Sequence, residues 1–179
     1  MRTGHTLVLG GARSGKSFFA ERLALSLNKT PAYIATAQSG DGEMASRIKK
    51  HRERRGESFV TYQEPLKLAE TIAMAAGAHD VILVDCLTLW LTNLMFCKTT
   101  DTEKSIDDLL DTLKSLNNTK IIMVSNEVGM GIVPEHEISR LFRDRIGELH
   151  QQLANICKEV YFVAAGLPLA LKGKLAELE

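Results

Sequence analysis

The chain has 179 residues and carries 22 Lys and Arg against 22 Asp and Glu, so its formal net charge is zero. Folding at this size buries about 70% of the unfolded surface, enough for one well-cored domain over residues 1–179. With 45% hydrophobic and 25% charged residues, the chain is neither disordered nor fibrous, and its balanced charge argues against a surface that binds nucleic acid or anionic membrane throughout.

Apolar runs alternate with helical patterns along the whole chain. Strands are predicted at Thr6–Leu9, Ala32–Ala37, Ser58–Tyr62, Val81–Val84, Lys120–Ser125 and, last in the chain, Val160–Ala164. Helices are predicted at Phe18–Leu27, Glu43–Arg55, Pro65–Ala76, Leu87–Phe96, Lys104–Leu116 and Ile138–Lys158. Continuous apolar strands separated by helices predict an α/β fold, with a mostly parallel, doubly wound sheet that has helices on both faces.

The cysteines and the apolar segments indicate in which cellular compartment the protein is expected. The three cysteines are widely spaced and odd in number, which excludes a disulfide framework and a cysteine-rich zinc site. The start of the sequence has no apolar signal region. The most apolar stretch, 81–97, is interrupted by Asp85 and Asn93 and is shorter than the roughly 20 residues that a membrane span needs. We therefore expect a cytoplasmic protein without a membrane span.

A glycine-rich segment between the first strand and the first helix fits the pattern G-x-x-x-x-G-K-[ST], the P-loop of nucleotide-binding proteins. Its residues are Gly10, Gly11, Ala12, Arg13, Ser14, Gly15, Lys16 and Ser17. The glycines let backbone N–H groups surround a phosphate at the positive end of the following helix. Lys16 is expected to reach the β- and γ-phosphates, and the Ser17 hydroxyl to ligate Mg²⁺. The alternative, a turn that merely caps a helix, is disfavoured because both flanks fit the motif, and the fold expected is that of the P-loop NTPases.

Asp85 follows the apolar run Val81–Val84 and is the acidic partner expected of such a loop. It can hold Mg²⁺ directly or through water, although an Asp in this position can also be a helix cap. A switch GTPase would need D-x-x-G at this aspartate and N-K-x-D for guanine. Here Asp85 is followed by Cys-Leu-Thr, and Asn28-Lys-Thr-Pro31 lacks the second Asp. The sequence therefore does not fit a switch GTPase.

Two other segments carry candidate functional residues. On the predicted helix Glu43–Arg55, the side chains of Arg47, His51, Arg54 and Arg55 share a face. This cluster fits a polyphosphate, and a neutral His51 can act as a nucleophile toward phosphorus, but a solvated helix face and a surface histidine are the alternatives. The segment 124–134, rich in glycine, leaves a strand at the edge where ligands bind in parallel sheets. It can contact ligand or be a structural loop.

Four segments together resemble one family, the bifunctional adenosylcobinamide kinase / adenosylcobinamide-phosphate guanylyltransferases. They are GGARSGKS at 10–17, YIATAQ at 33–38, EMASRIKKHRERR at 43–55 and SNEVGMGIVPE at 125–135. The resemblance covers most of the chain in the same order. It implies phosphorylation of adenosylcobinamide by ATP or GTP, then transfer of GMP from GTP to adenosylcobinamide phosphate, with Mg²⁺ as cofactor. It also implies a homo-oligomer.

The resemblance further implies which residues act. His51 would carry the covalent GMP, and Lys16 would serve both reactions. Besides the P-loop, the nucleotide contacts implied are Thr36, Ala37, Gln38, Arg52, Glu53, Arg54, Arg55, Glu64 and Asp85, with Ser17 and Asp85 on the metal. Relatives can have Glu where this chain has Asp85, and either carboxylate can bind Mg²⁺.

Two other functions stay open on the residues alone. A monofunctional small-molecule kinase would use 47–55 as a lid over the phosphates and would form no covalent nucleotide. A nucleotide-sensing regulatory module would turn over slowly and act through a partner. The residues that hold the corrinoid are not indicated by the sequence.

Overall fold

A computed structural model describes residues 4–38, 56, 58–176 and 178 of the chain. Its strands are β1 (Thr6–Gly10), β2 (Ala32–Ala35), β3 (Val60–Gln63), β4 (Val81–Asp85), β5 (Lys120–Asn126), β6 (Glu159–Ala164) and β7 (Leu167–Lys172). Its helices are α1 (Lys16–Leu27), α2 (Leu68–Ala76), α3 (Leu87–Phe96), α4 (Thr102–Ser115) and α5 (Glu137–Ile156). The predicted helix Glu43–Arg55 lies outside the described residues.

The strands form one sheet in the order β3-β2-β4-β5-β1-β6-β7. All neighbours are parallel except β6 and β7, which are antiparallel. The parallel strands are joined by long connections. Each connection returns the chain to the end of the sheet at which the preceding strand began. The P-loop strand β1 and the Asp85 strand β4 are separated by β5, so the carboxyl end of β5 lies between the two expected phosphate-binding elements.

Two apolar clusters cover the two faces of the sheet. Helix α1 packs on one face through Phe19 and Leu23, which contact strand residues such as Val8 and Leu83. The other face is covered by α2, α3, α4 and α5, with Trp90 fully buried in this larger cluster. The prediction of a mostly parallel sheet with helices on both faces is confirmed.

The prediction that Val160–Ala164 is the last strand is wrong, because β7 follows it. Ala165 and Gly166 have φ values of 51° and 79° and form the two-residue turn of a hairpin, which favours such left-handed conformations. Pro168 lies within β7. A proline argues against a strand in sequence reasoning, but β7 is at the edge of the sheet, where a missing N–H is tolerated.

Side chains shorten two predicted elements. The predicted helix Pro65–Ala76 begins only at Leu68, because the Glu64 carboxylate accepts hydrogen bonds from the N–H groups of Leu66 and Lys67 at 2.9 and 2.8 Å. The predicted strand Ala32–Ala37 ends at Ala35. Thr36 leaves the sheet, and its hydroxyl binds the backbone of Cys86. In both places a local side-chain bond replaces regular secondary structure.

Candidate active site

The P-loop lies between β1 and α1, as the motif requires. Lys16 is the first residue of α1, and its Nζ donates a hydrogen bond of 2.9 Å to the carbonyl oxygen of Gly11. This buried side chain therefore bends back over the loop that it follows. An ammonium group held there can neutralise a phosphate that enters the loop.

Gly15 is required by the backbone and by close packing. Its φ is 96°, and a Cβ added here would lie 3.0 Å from the Cα of Gly166 in the β6–β7 turn. The N–H of Gly166 donates to the carbonyl oxygen of Ser14 at 2.8 Å. The hairpin turn thus supports the P-loop from behind, a contact that sequence reasoning missed because it did not predict β7.

Replacing Gly15 with Ala is expected to lower the free energy of unfolding by about 1–3 kcal/mol, since Ala would be strained at this φ and would crowd Gly166. The melting temperature of the nucleotide-free protein should fall by several degrees. The matched control is Gly11→Ala, because a Cβ at Gly11 meets no atom within 4 Å among the described residues. Equal melting temperatures for the two variants would contradict this explanation.

The loop also has a buried hydroxyl that a phosphate could hydrogen-bond. The Ser14 hydroxyl oxygen is buried and has no hydrogen-bond partner within the described part of the chain. Buried polar atoms are nearly always hydrogen-bonded in folded proteins. A phosphate oxygen in the loop would satisfy this hydroxyl. The exposed residues of the loop are Ala12 and Arg13, and Arg13 has a left-handed φ of 56°.

Asp85 is half-buried at the carboxyl end of β4. The Tyr33 hydroxyl donates to its Oδ2 at 3.0 Å, which fixes the orientation of the carboxylate. Ser17, the other predicted metal ligand, is half-buried in the first turn of α1. Burial and the charge of Asp85 raise the pKa of the neighbouring Cys86 thiol to about 11, so this thiol is protonated near pH 7.

The remaining predicted nucleotide contacts differ in what their side chains do. The hydroxyl of Thr36 is buried and engaged with Cys86, while its N–H donates to the carbonyl oxygen of Asp85 at 3.2 Å. Thr36 therefore fixes the backbone of Asp85 and Cys86, where β4 ends. Ala37 is half-buried and Gln38 is exposed, so these two are open to a ligand. One carboxylate oxygen of the half-buried Glu64 caps the turn before α2. His51, Arg52, Glu53, Arg54 and Arg55 lie outside the described residues.

The segment after β5 contacts the P-loop directly. The N–H of Glu127 donates to the carbonyl oxygen of Gly10 at 3.0 Å. The Glu127 carboxylate then accepts from the N–H groups of Gly129 and Met130 at 2.6 and 3.2 Å. The beginning of this segment is thus part of the site, and Glu127 holds the turn that follows it.

Three polar side chains, linked by hydrogen bonds, lie beneath this end of β5. His150 Nε2 lies 2.8 Å from the Ser125 hydroxyl, which lies 3.2 Å from the Thr88 hydroxyl. Burial lowers the pKa of His150 to about 4, although the charge of Glu127 opposes this shift. His150 is therefore neutral near pH 7. His150 lies within the predicted helix Ile138–Lys158, and only the fold shows that its side chain approaches the site.

The low pKa of His150 predicts how stability depends on pH. Its pKa in the unfolded chain is near 6.5, so between about pH 6.5 and 4 the unfolded state binds more protons than the folded state. The free energy of unfolding should therefore fall as the pH drops through this range. Urea titrations at pH 7 and pH 5 should show a smaller fall for His150→Gln than for the wild type. His5, whose pKa burial also lowers, retains part of the dependence, and an unchanged fall in His150→Gln would contradict the assignment.

Comparisons with known proteins add to this geometry. The family model described as "Cobinamide kinase / cobinamide phosphate guanyltransferase" matches residues 6–171. The chain is 52% identical over 172 residues to the bifunctional adenosylcobalamin biosynthesis protein CobP of Pseudomonas aeruginosa, covering 94% of this chain and 97% of that protein. It is 38% identical over 179 residues to the protein CobU of Escherichia coli, covering 93% and 98%.

Solved structures show similarity of fold. The flagellar accessory protein FlaH of Methanocaldococcus jannaschii has a TM-score of 0.58 at 15% identity, covering 97% of this chain and 80% of that one. The RadB recombinase has a TM-score of 0.53 at 16% identity, covering 90% and 74%. Together with the P-loop these place the chain in the P-loop NTPase-like α/β fold. No helix in the described ranges is long and apolar enough to cross a bilayer.

Proposed function

Since the chain belongs to the cobinamide kinase / cobinamide phosphate guanyltransferase family, we propose that it phosphorylates adenosylcobinamide and then converts the product to adenosylcobinamide-GDP. It is a bifunctional enzyme of cobalamin biosynthesis, both a kinase and a guanylyltransferase. The observation that carries the proposal is 52% identity to a bifunctional relative over 94% of the chain. The intact P-loop supports it.

In the kinase reaction, the P-loop would hold the triphosphate of ATP or GTP. Backbone N–H groups of the loop, the Lys16 ammonium and the Ser14 hydroxyl would bind the phosphate oxygens. The hydroxyl oxygen of adenosylcobinamide forms a bond to the γ-phosphorus. The bond from that phosphorus to the β–γ bridging oxygen breaks, the nucleoside diphosphate leaves, and the hydroxyl proton goes to water.

Mg²⁺ fits the residues beside the loop. Ser17 and Asp85 would hold it, and the Tyr33 hydroxyl on Asp85 Oδ2 leaves the other carboxylate oxygen available. Within the described residues no three His, Cys, Asp or Glu side chains form a metal-binding group, and two protein ligands plus phosphate oxygens are typical of magnesium. Bound there, the ion would neutralise charge on the phosphates.

In the guanylyl transfer, His51 would be the nucleophile. A ring nitrogen of neutral His51 forms a bond to the α-phosphorus of GTP, the bond to the α–β bridging oxygen breaks, and pyrophosphate leaves. An oxygen of adenosylcobinamide phosphate then attacks the same phosphorus and releases His51. Arg52, Arg54 and Arg55 would neutralise the phosphates. The further nucleotide contacts would be Thr36, Ala37, Gln38, Glu53 and Glu64. In the sequence, the segment that contains His51 follows Gln38. Gln38 is exposed and lies two residues after Thr36, whose N–H donates to the carbonyl oxygen of Asp85.

The same proposal includes the domain organisation, the location, the oligomeric state and the substrates. Residues 1–179 would form one domain, so both reactions would share one P-loop. The enzyme would be a cytoplasmic homo-oligomer that binds no nucleic acid. Its substrates would be adenosylcobinamide, the corresponding phosphate and the nucleoside triphosphates.

The test uses the purified protein, adenosylcobinamide and GTP labelled at either the γ- or the α-phosphorus. The proposal predicts γ-label in adenosylcobinamide phosphate and both labels in adenosylcobinamide-GDP. A monofunctional kinase would transfer only the γ-label, and a regulatory module would transfer neither at a catalytic rate. Repeating the first reaction with ATP determines the preferred phosphoryl donor.

A further inference from the structure

The carboxyl end of β5 holds a residue that the proposed mechanism has not used. Asn126 is the last residue of β5 and pairs directly with Gly10, the first residue of the P-loop. On the other side of β5 lies β4, where Val124 pairs with Asp85. Since neighbouring strands are about 4.8 Å apart, Asn126 lies between the P-loop and the Asp85 carboxylate.

The alternation of the strands gives the face on which the Asn126 side chain lies. Val124 and Leu83 belong to the apolar cluster under α1. Side chains two residues apart share a face, so Asn126 and Asp85 lie on the α1 side. The hydrogen bond to Asp85 from Tyr33, a member of the same cluster, agrees with this. The P-loop runs into α1 on that face as well.

The backbone of Asn126 is held firmly in this position. Its N–H donates to the Thr88 hydroxyl at 2.7 Å, and the next N–H, of Glu127, donates to Gly10. The Thr88 hydroxyl is in turn hydrogen-bonded to that of Ser125, which contacts His150. These contacts tie the end of β5 to the start of α3, just after Asp85, and to the P-loop.

The side-chain amide of Asn126 is available to a ligand. It is half-buried, and among the described residues no hydrogen bond engages it. A fixed N–H donor aimed at developing phosphate charge lowers the barrier to transfer because it needs no reorganisation during the reaction. We propose that Asn126 is a catalytic residue of the kinase reaction, donating a hydrogen bond to the transferred γ-phosphoryl group between Lys16 and Asp85. This inference rests on the proposed kinase function.

The amide transfers no proton and forms no covalent bond. The substrate hydroxyl still attacks the γ-phosphorus, and the nucleoside diphosphate still leaves. Asn126 binds the γ-phosphate oxygens more strongly as their charge is redistributed in the transition state. A diphosphate lacks the group that Asn126 contacts, so the residue should distinguish triphosphate from diphosphate.

The test is Asn126→Asp, which keeps the shape of the side chain but places a negative charge against the γ-phosphate. The matched control is Asn118→Asp, which adds the same charge at an exposed position just before β5, at the opposite end of that strand from Asn126. For Asn126→Asp, kcat of adenosylcobinamide phosphorylation should fall about 100-fold, and Asn118→Asp should match the wild type.

Calorimetry with GDP and with the β,γ-imido analogue of GTP gives a readout that does not depend on turnover. Asn126→Asp should bind GDP as the wild type does, but should lose at least about tenfold in its affinity for the triphosphate analogue relative to GDP. A wild-type ratio of the two affinities would overturn the proposal, as would an equal loss of affinity for both nucleotides. If the wild type phosphorylates no adenosylcobinamide, the proposed function fails, and the two affinities still decide whether Asn126 contacts the γ-phosphate.

Discussion

The variant His51→Ala is expected to lose guanylyl transfer by on the order of 10⁴-fold or more while it retains adenosylcobinamide phosphorylation. Alanine has no atom that can form a bond to the α-phosphorus, so the two-step route through a covalent intermediate is closed. The kinase reaction uses the γ-phosphorus and needs no covalent enzyme intermediate. The measurement is transfer of α-label and of γ-label from GTP to the corrinoid, made on the same preparation.

The covalent intermediate gives a second readout for this variant. A phosphorus bound to a histidine nitrogen is labile in acid and stable in alkali, so denatured wild-type protein should carry α-label with that behaviour and His51→Ala should carry none. His136→Ala is the control, since His136 is exposed at the start of α5 and should label like the wild type. Acid-labile, alkali-stable label that persists in His51→Ala would show that another residue is the nucleophile.

Lys16→Ala is expected to reduce both reactions by about 10³-fold. The buried Lys16 ammonium lies on the P-loop, 2.9 Å from the carbonyl oxygen of Gly11, where the phosphates of either nucleotide would bind. Removing it takes away a charge that stabilises the leaving diphosphate in one reaction and the leaving pyrophosphate in the other. The measurement is kcat of γ-label transfer and of α-label transfer in parallel.

The control for this variant is Lys29→Ala, because Lys29 is exposed just beyond the opposite end of α1. It should leave both rates unchanged. A loss of kinase activity with normal guanylyl transfer in Lys16→Ala would mean that the two reactions use separate nucleotide sites. The expectation of one shared P-loop in a single domain would then be wrong.

The elements that position the site were predictable because each depends on local pattern. The P-loop has glycines and a Lys-Ser pair at fixed spacing, and the run Val81–Val84 is apolar enough to be a buried strand that ends at Asp85. These residues lie as expected at the carboxyl edge of the sheet. The sequence also predicted that the segment after Ser125 leaves at this edge, and the structure brings Glu127 to Gly10.

Other parts of the site depend on contacts distant in the sequence and so gave no local signal. The support of Ser14 by Gly166 needs the hairpin of β6 and β7, and β7 contains a proline, a residue that disfavours strands. The approach of His150 to Ser125 follows only from the packing of α5 under β5. The hydroxyl of Thr36, a predicted nucleotide contact, is bound to the backbone of Cys86, a partner that becomes adjacent only when β2 pairs with β4.

The central claim is that one enzyme carries GMP on His51 during transfer, and peptide mapping tests it most directly. Wild-type protein is incubated with GTP and Mg²⁺ without corrinoid, digested under alkaline conditions and analysed by mass spectrometry. The account predicts one GMP adduct, located on His51, that disappears when adenosylcobinamide phosphate is added and appears as adenosylcobinamide-GDP. An adduct on any other residue, or transfer of GMP without an adduct, would contradict it.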